Sequence, residues 1–345
     1  MKLSWPDAPQ MLAPPVAIGN TSWLDLRIIL NGIEHEVRLK EEYRNAFGSI
    51  KDRVAWKLLA EAIAAGTLTP GGRVIDASSG NYGIALAALG TMYGIEVEIV
   101  VSEGISETTA TRIQEAGARL HVARRLGGET LHDARIALAG KLAEQASVVF
   151  LNQYNNPGNP ACHRDWTAPE IFAQGAPDAL FVSASSGGTA AGVSSYLANG
   201  AMNCQLIVVD SPASDILSVA ERPEASLLVP GMGSKRRTKF LPVAGSYSLL
   251  RVWDHQALAC YRLLREMNGL SLGLSSCGVL AGAINWLSRQ DHPCKIAMLG
   301  TDRHDKYLNH VEASLADAVV RAQVEDHIQR HGDILRSVPG LWQST

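Results

Sequence analysis

No Cys-x-x-Cys pair occurs in this 345-residue sequence, and its five cysteines, at 162, 204, 260, 277 and 294, are odd in number and scattered. Both facts argue against a zinc site or a disulfide framework and point to reduced thiols. Charge is scarce as well: charged residues make up 19% of the chain, against about 25% in an average domain. A net charge of -3 leaves no basic excess to attract nucleic acid or an anionic membrane surface. No apolar run approaches the roughly 18 residues of a membrane span. Met1-Lys2-Leu3-Ser4-Trp5-Pro6 lacks the charged-then-apolar layout of a signal peptide. The expectation is therefore a soluble, cytoplasmic protein. Its 46% apolar content supplies ample core for two domains or one large α/β domain.

What is present is a regular alternation. A Pro-rich arm over residues 1–20 leads into strand-like segments ending at Val37-Arg38-Leu39-Lys40. Apolar periodicity then predicts a helix over 51–65, with Val54, Leu58, Leu59 and Ile63 on one face and Gly66 as its stop. From there strands are expected at 73–77, 95–101, 119–123, 147–151, 179–184, 205–210 and 295–300. Helices are expected at 80–93, 106–116, 129–145 and 278–288. In 95–101 the residues Ile95, Val97, Ile99 and Val101 alternate with Glu96 and Glu98, the pattern of a strand. Strands alternating with helices argue for an α/β fold of parallel sheets covered on both faces. Residues 312–345 look helical and amphipathic.

Four loops carry chemistry. In Asn45–Arg53, Ser49 and Asp52 fit a capping box, which places Lys51 in the first helical turn. The positive end of the helix dipole, about +0.5 charge, disfavours a second positive charge there. A buried lysine so placed is pushed toward its neutral, nucleophilic form. A neutral lysine amine forms Schiff bases, and pyridoxal phosphate is the cofactor that needs one. The alternative is an ordinary exposed lysine on a capped helix. Ser78-Ser79-Gly80-Asn81-Tyr82-Gly83 follows a strand and opens a helix, the layout of an anion site. Ser185-Ser186-Gly187-Gly188-Thr189 has the same layout, with two glycines that allow close backbone approach to a phosphate. It is neither a Walker loop nor a dinucleotide Gly-x-Gly-x-x-Gly, which suits a small phosphorylated cofactor. The last, Gly273-Leu274-Ser275-Ser276-Cys277-Gly278, precedes a helix. A neutral hydroxyl there either faces a pyridine nitrogen or serves as an N-cap.

Taken in order, these loops resemble the fold type II pyridoxal phosphate enzymes, and among them the cysteine synthase group with its O-acetylserine sulfhydrylases. The resemblance covers about residues 15–310. It includes Gly19-Asn20-Thr21, the lysine loop, the Ser-x-Gly-Asn-x-Gly segment, Gln153-Tyr154-x-Asn156-Pro157-x-Asn159-Pro160, the Gly-Gly-Thr cradle and the Ser-Ser segment. It implies two domains, each a mainly parallel twisted sheet flanked by helices, with the cofactor in the cleft. A smaller lobe would span 40–150, a larger one 1–39 plus 151–310, and 311–345 would be a helical C-terminal extension. By the same resemblance Lys51 is the Schiff-base lysine and the base at the substrate Cα. Asn81 bonds the cofactor's 3′-oxygen, Ser185, Ser186, Gly187, Gly188 and Thr189 cradle its phosphate, and Ser275 faces its pyridine nitrogen. Ser78, Ser79, Asn81, Tyr82 and Gln153 hold the substrate α-carboxylate. The implied reaction is β-replacement on an O-activated serine through an α-aminoacrylate, in a cytoplasmic homodimer that binds small amino-acid substrates.

Two departures from the family pattern bear on specificity. Tyr82 stands where the family has a small threonine, which is expected to reshape the substrate pocket. Lys235-Arg236-Arg237 follows Gly231-Met232-Gly233-Ser234, where the family has a glycine-rich loop at the active-site mouth. Three cations there suit a phosphate leaving group or an acidic acceptor, so O-phosphoserine is the expected donor rather than O-acetylserine. The nucleophile is a sulfur species or an amine; the amine version yields 2,3-diaminopropionate precursors. A serine/threonine dehydratase and an inactive scaffold relative are the competing readings. The first usually carries His after Ser-x-Gly-Asn, and the second is opposed by the intact Lys51, Asn81 and Gly187-Gly188-Thr189.

Overall fold

The computed structural model describes residues 13–125, 127, 130–146, 148–200, 202–217, 226–243, 245–267 and 269–336. Residues 1–12 of the Pro-rich arm, residue 129 at an expected helix start and residues 337–345 of the C-terminal extension lie outside them. The chain forms two compact units. One consists of the described residues of Met1–Gly19 and Arg44–Cys162, the other of those of Asn20–Tyr43 and His163–Thr345. The boundaries thus fall at 43/44 and 162/163, where 40 and 150 are the positions expected from sequence. Residues 13–19 join the first unit because the Gly19 N–H donates to Asn45 Oδ1 at 2.7 Å and the Ala46 N–H to the Ala17 carbonyl at 2.9 Å.

The first elements along the chain, β1 (Trp23–Leu30) and β2 (Ile33–Lys40), form an antiparallel hairpin of the second unit. Asn31 and Gly32 close it with φ of 51° and 79°, the left-handed pair that a type I′ turn requires.

The first unit contains α1 (Lys51–Ala64), β3 (Arg73–Ala77), α2 (Asn81–Tyr93), β4 (Glu96–Ser102), α3 (Glu107–Glu115), β5 (Ala118–Ala123), α4 (Leu131–Ala146), β6 (Val149–Phe150) and α5 (Gly158–Cys162). Its four strands are parallel, in the order β5-β4-β3-β6. The chain walks from β3 to β5 toward one edge, then returns to the far side of β3 for β6. That reversal makes a topological switch point between β3 and β6, the place where open α/β sheets bind ligands, beyond the carboxyl ends of the strands. The Ser78–Gly83 segment and Gln153 follow β3 and β6 and so flank it.

Strand β4 exposes Glu96 but buries Glu98. Glu98 pairs with Arg73 from β3 and His121 from β5. Burial pushes its carboxyl up, but the hydrogen bonds from His121 and Arg73 outweigh this and hold it below the ordinary range. A depressed carboxylate contributes stability that is present above its unfolded value and is lost as pH falls through its folded value. Glu98→Gln is expected to cost about 1–3 kcal/mol, toward the low end because Arg73 keeps partial solvent access. Thermal denaturation above and below the carboxylate range checks this: the deficit should shrink in acid.

The second unit continues with α6 (Ala168–Phe172), β7 (Ala179–Ser183), α7 (Gly188–Asn199), β8 (Gln205–Asp210), β9 (Tyr247–Arg251), α8 (Asp254–Glu266), α9 (Leu274–Leu287), β10 (Lys295–Leu299), α10 (Leu308–Ala316) and α11 (Ala318–Arg336). A π-helical turn, His163–Thr167, precedes α6. The sheet order is β1-β2-β10-β7-β8-β9, parallel except for the β1–β2 hairpin. The same reversal recurs: β7 to β9 run one way and β10 returns beside β7, so a second switch point lies between β7 and β10. Helix α9 begins at Leu274, four residues earlier than expected, which puts Ser275 and Ser276 inside its first turn instead of in a preceding loop. The C-terminal helical segment is broken at Asp317, whose carboxylate accepts the Val319 and Val320 N–H groups at 2.8 and 3.2 Å and starts α11. Val324 of α11 is buried in the same core as Leu258 and Tyr261 of α8. No helix among the described residues is long and apolar enough to cross a membrane.

Candidate active site

In the first unit Lys51 is the opening residue of α1. The expected capping box is displaced by one position: Ile50, with helical φ of −57°, occupies the cap and has no side-chain bond. Ser49 Oγ instead accepts the Lys51 N–H at 3.2 Å and donates to Asp52 Oδ1 at 3.1 Å. Asp52 Oδ2 accepts the Phe47 N–H at 2.6 Å. Both Ser49 and Asp52 are buried, so this web sets where α1 begins and which residue opens it. Burial brings the Lys51 amine down to about 8, with Cys162 pulling weakly the other way. An amine at that value is largely protonated at neutral pH yet deprotonates within reach of it.

The sequence predicts that the segment after β3 presents its hydroxyls to substrate; in the structure all three have protein partners, Ser78 and Ser79 as acceptors and Tyr82 as a donor. Ser78 Oγ accepts the Gly83 and Gly80 N–H groups at 3.1 and 3.3 Å. Ser79 Oγ accepts the Ser102 N–H at 2.9 Å and the Arg135 guanidinium at 2.7 Å. Tyr82, 2% exposed, turns into the interior and donates to Asp76 Oδ2 at 2.8 Å. The expectation that Tyr82 lines the pocket is thereby corrected. As the second residue of α2 it lies on the face turned toward β3, where a buried hydroxyl must find a partner. Asn81 opens α2 and is partly exposed. Gln153 is buried; its Nε2 donates to the Ala77 carbonyl at 2.8 Å and its N–H to Asp76 Oδ2 at 3.0 Å. Burial pushes the Asp76 carboxyl up to about 7 against the opposing pull of its hydrogen bonds.

In the second unit the Ser185–Thr189 segment joins β7 to α7 at the switch point. Gly187 has φ of 87°, and a Cβ there would lie 2.4 Å from Thr238 Oγ1. Only glycine fits. Thr238 in turn donates to the Ser186 carbonyl at 2.6 Å, and Ser186 Oγ accepts the Gly188 N–H at 3.3 Å. The leading N–H groups of α7 have no intrahelical acceptors and open toward this turn. Thr189 Oγ1 is 3.3 Å from His163 Nε2, and His163 Nδ1 is 3.0 Å from Thr167. On the other side of the switch point, Thr301 Oγ1 meets Ser275 Oγ at 3.0 Å and Ser276 Oγ at 3.1 Å. Ser276 also accepts the Thr301 N–H at 2.9 Å, so its hydroxyl is held by backbone where that of Ser275 is not.

The basic run is bracketed by these two clusters. A Cβ on Gly231 would lie 3.1 Å from Ser275 Oγ, and Thr238, next after Arg237, abuts Gly187. Lys235 Nζ donates to the Ala213 carbonyl at 2.8 Å, Arg236 is half-buried and Arg237 is exposed.

Sequence reasoning missed Asp76, Arg135 and His163. Asp76 had a signal, a carboxylate inside the apolar run Val74-Ile75-Asp76-Ala77. Arg135 had one too, a lone cation in Ala134-Arg135-Ile136-Ala137. It is 8% exposed and its Nε has no hydrogen-bond partner among the described residues. His163 had none.

The chain is similar to known proteins. The family model described as pyridoxal-phosphate dependent enzyme matches residues 15–301. Cystathionine beta-synthase of Apis mellifera is 33% identical over 78% of this chain, which spans only 55% of that relative's length. N-(2-amino-2-carboxyethyl)-L-glutamate synthase of Ralstonia nicotianae is 32% identical over 85% of this chain and 87% of its own. The crystal structure of an O-ureido-L-serine synthase superposes with a TM-score of 0.76 at 25% identity, over 84% of this chain and 91% of that one. A lysine opening α1, a glycine cradle at one switch point and a match over most of the sequence lead to one conclusion: this chain belongs to the pyridoxal-phosphate dependent enzyme family, in the fold type II group of cysteine synthases and cystathionine β-synthases.

Proposed function

We propose that this enzyme uses O-phospho-L-serine as donor and an amino-acid amine as nucleophile. The reaction is β-replacement on an O-activated L-serine, a transfer of the EC 2.5.1 type that depends on pyridoxal phosphate. The residues suit that cofactor. The turn at Gly187 is one that only glycine adopts against Thr238, and Ser185–Thr189 contains no carboxylate to repel a phosphate. Ser275 offers a neutral hydroxyl, and Lys51 an amine at about 8. When bound, the cofactor supplies an electron sink that makes the donor Cα–H acidic.

The chain's own residues would do the rest. Lys51 Nζ anchors the cofactor and moves the proton at the donor Cα. Ser185, Ser186, Gly187, Gly188 and Thr189 hold the phosphate through backbone N–H groups and hydroxyls. Ser78, Ser79, Asn81, Gln153 and the backbone N–H groups at the start of α2 would orient the donor: the Ser78 and Ser79 hydroxyls accept protein donors and keep a proton to give, whereas the Tyr82 hydroxyl donates to Asp76. The donor assignment rests on one observation: the Lys235–Arg237 run is bracketed by Gly231 against Ser275 and Thr238 against Gly187. The amine is supported by the Ralstonia relative, named for a product that joins a 2-amino-2-carboxyethyl group to glutamate nitrogen.

Replacing Arg236 and Arg237 together by alanine is expected to raise KM for O-phosphoserine roughly 10–100-fold, the loss of one or two charge-assisted hydrogen bonds. KM for O-acetylserine should not move. Mass spectrometry of products from both donors, offered with glutamate, sulfide and thiosulfate, tests the whole assignment; a preference for O-acetylserine or for a sulfur nucleophile refutes it. The resemblance to the cysteine synthase group supports a cytoplasmic homodimer as part of this proposal, and light scattering checks the assembly.

A further inference from the structure

The Asp76 carboxylate is the meeting point of three donors. Its Oδ1 accepts the Ala77 N–H at 2.7 Å, and its Oδ2 accepts the Tyr82 hydroxyl at 2.8 Å and the Gln153 N–H at 3.0 Å. Asp76 is fully buried and Gln153 is 2% exposed. These groups span the switch point of the first unit. Asp76 is the penultimate residue of β3, Tyr82 stands in the first turn of α2 and Gln153 follows β6. Gln153 is tied to the end of β3 twice, through its N–H to Asp76 and its Nε2 to the Ala77 carbonyl. Apolar side chains at both 76 and 82 would fill the same volume without a buried carboxylate, whose desolvation is costly unless its lone pairs are met. What the polar arrangement adds is fixed geometry, since one carboxylate holds two segments at a set separation.

We propose that Asp76 and Tyr82 are positioning residues: together they fix the Asn81 segment relative to Gln153, and so set how tightly the enzyme holds the α-carboxylate of its amino-acid donor. This rests on the reading that these two segments bind that carboxylate. Tyr82→Phe keeps the ring in the core and removes only the hydroxyl. Asp76 then loses a donor, and the first turn of α2 loses its tether. KM should rise roughly 10-fold, and by the same ratio for O-phosphoserine and O-acetylserine, because both carry the same α-carboxylate. The value of kcat should hold, because the proton transfer at Cα belongs to Lys51.

Asp76→Asn is the second variant. Its amide turns an N–H toward a group that is itself a donor, and it should give the same split. A purely structural role would instead lower the melting temperature and kcat while leaving KM alone. That outcome, or a KM change confined to one donor, overturns the proposal. Should neither variant fold, amide exchange in the wild-type holoenzyme decides. L-alanine, which has the carboxylate but no leaving group, should protect 77–83 and 151–154 together, and protection of one segment alone overturns it. Failure of wild-type enzyme to turn over either donor refutes the donor reading itself, before any variant is made.

Discussion

Lys51→Ala is expected to abolish β-replacement while leaving the protein folded. The fold survives because alanine is a good helix former and because the web that starts α1 uses Ser49, Asp52 and the residue-51 backbone N–H, not the lysine side chain. Activity does not survive, because one amine is asked to anchor the cofactor and to move a proton. Loss of the proton-transfer role alone is worth about 10²–10⁴-fold, and loss of the anchor adds to it. The anchor has its own readout. Borohydride reduction of wild-type holoenzyme should leave the cofactor's mass on the peptide that carries residue 51, and the variant should show none. Capture of cofactor by wild-type apoprotein should accelerate as pH rises through about 8, because burial holds the amine there and only its neutral form is a nucleophile. Retained turnover in Lys51→Ala, or label on another lysine, would sink the assignment.

The second large effect is expected at Gly187. Its φ of 87° is a conformation that costs an L-residue about 1–2 kcal/mol. An added Cβ would also meet Thr238 Oγ1 at 2.4 Å, Thr238 Cβ at 2.9 Å and the Phe240 carbonyl at 3.0 Å. Thr238 cannot retreat: its hydroxyl donates to the Ser186 carbonyl and accepts the Phe240 N–H at 2.9 Å. Gly187→Ala therefore has to move the cradle itself. Cofactor affinity, read by equilibrium dialysis of the apoprotein, should fall about 10–100-fold as the strain is taken from phosphate contacts. The melting temperature of the holoenzyme should fall with it. Unchanged affinity would mean that the phosphate sits elsewhere.

Much of the chain was legible before its structure. Strand Gln205–Asp210 appears with the bounds expected of it, and helix α1 ends one residue short of its expected end. Both are signalled locally, one by a continuous apolar run and the other by helical spacing with a glycine stop. The misses share a cause as well. Strand β9 and helix α8 went unread. Helix α9 was placed late because Ser275 and Ser276 resemble loop residues, yet Thr301, from the end of β10, satisfies their hydroxyls within the helix.

By itself the sequence determined the α/β class, the alternating order of strands and helices, and the lysine, serine and glycine segments that stand at strand ends and helix starts. Those features depend on neighbours a few residues away. Only the tertiary structure decided what the polar side chains face. Glu98 finds His121 and Arg73, Ser79 finds Arg135, and the Asp76 carboxylate joins Tyr82 to Gln153, which lies 77 positions beyond Asp76. A buried polar group must be satisfied, and in a parallel sheet its partners arrive from strands and helices that are remote in sequence. That is why Tyr82, which the sequence places at the substrate, lies with its hydroxyl against a carboxylate in the interior.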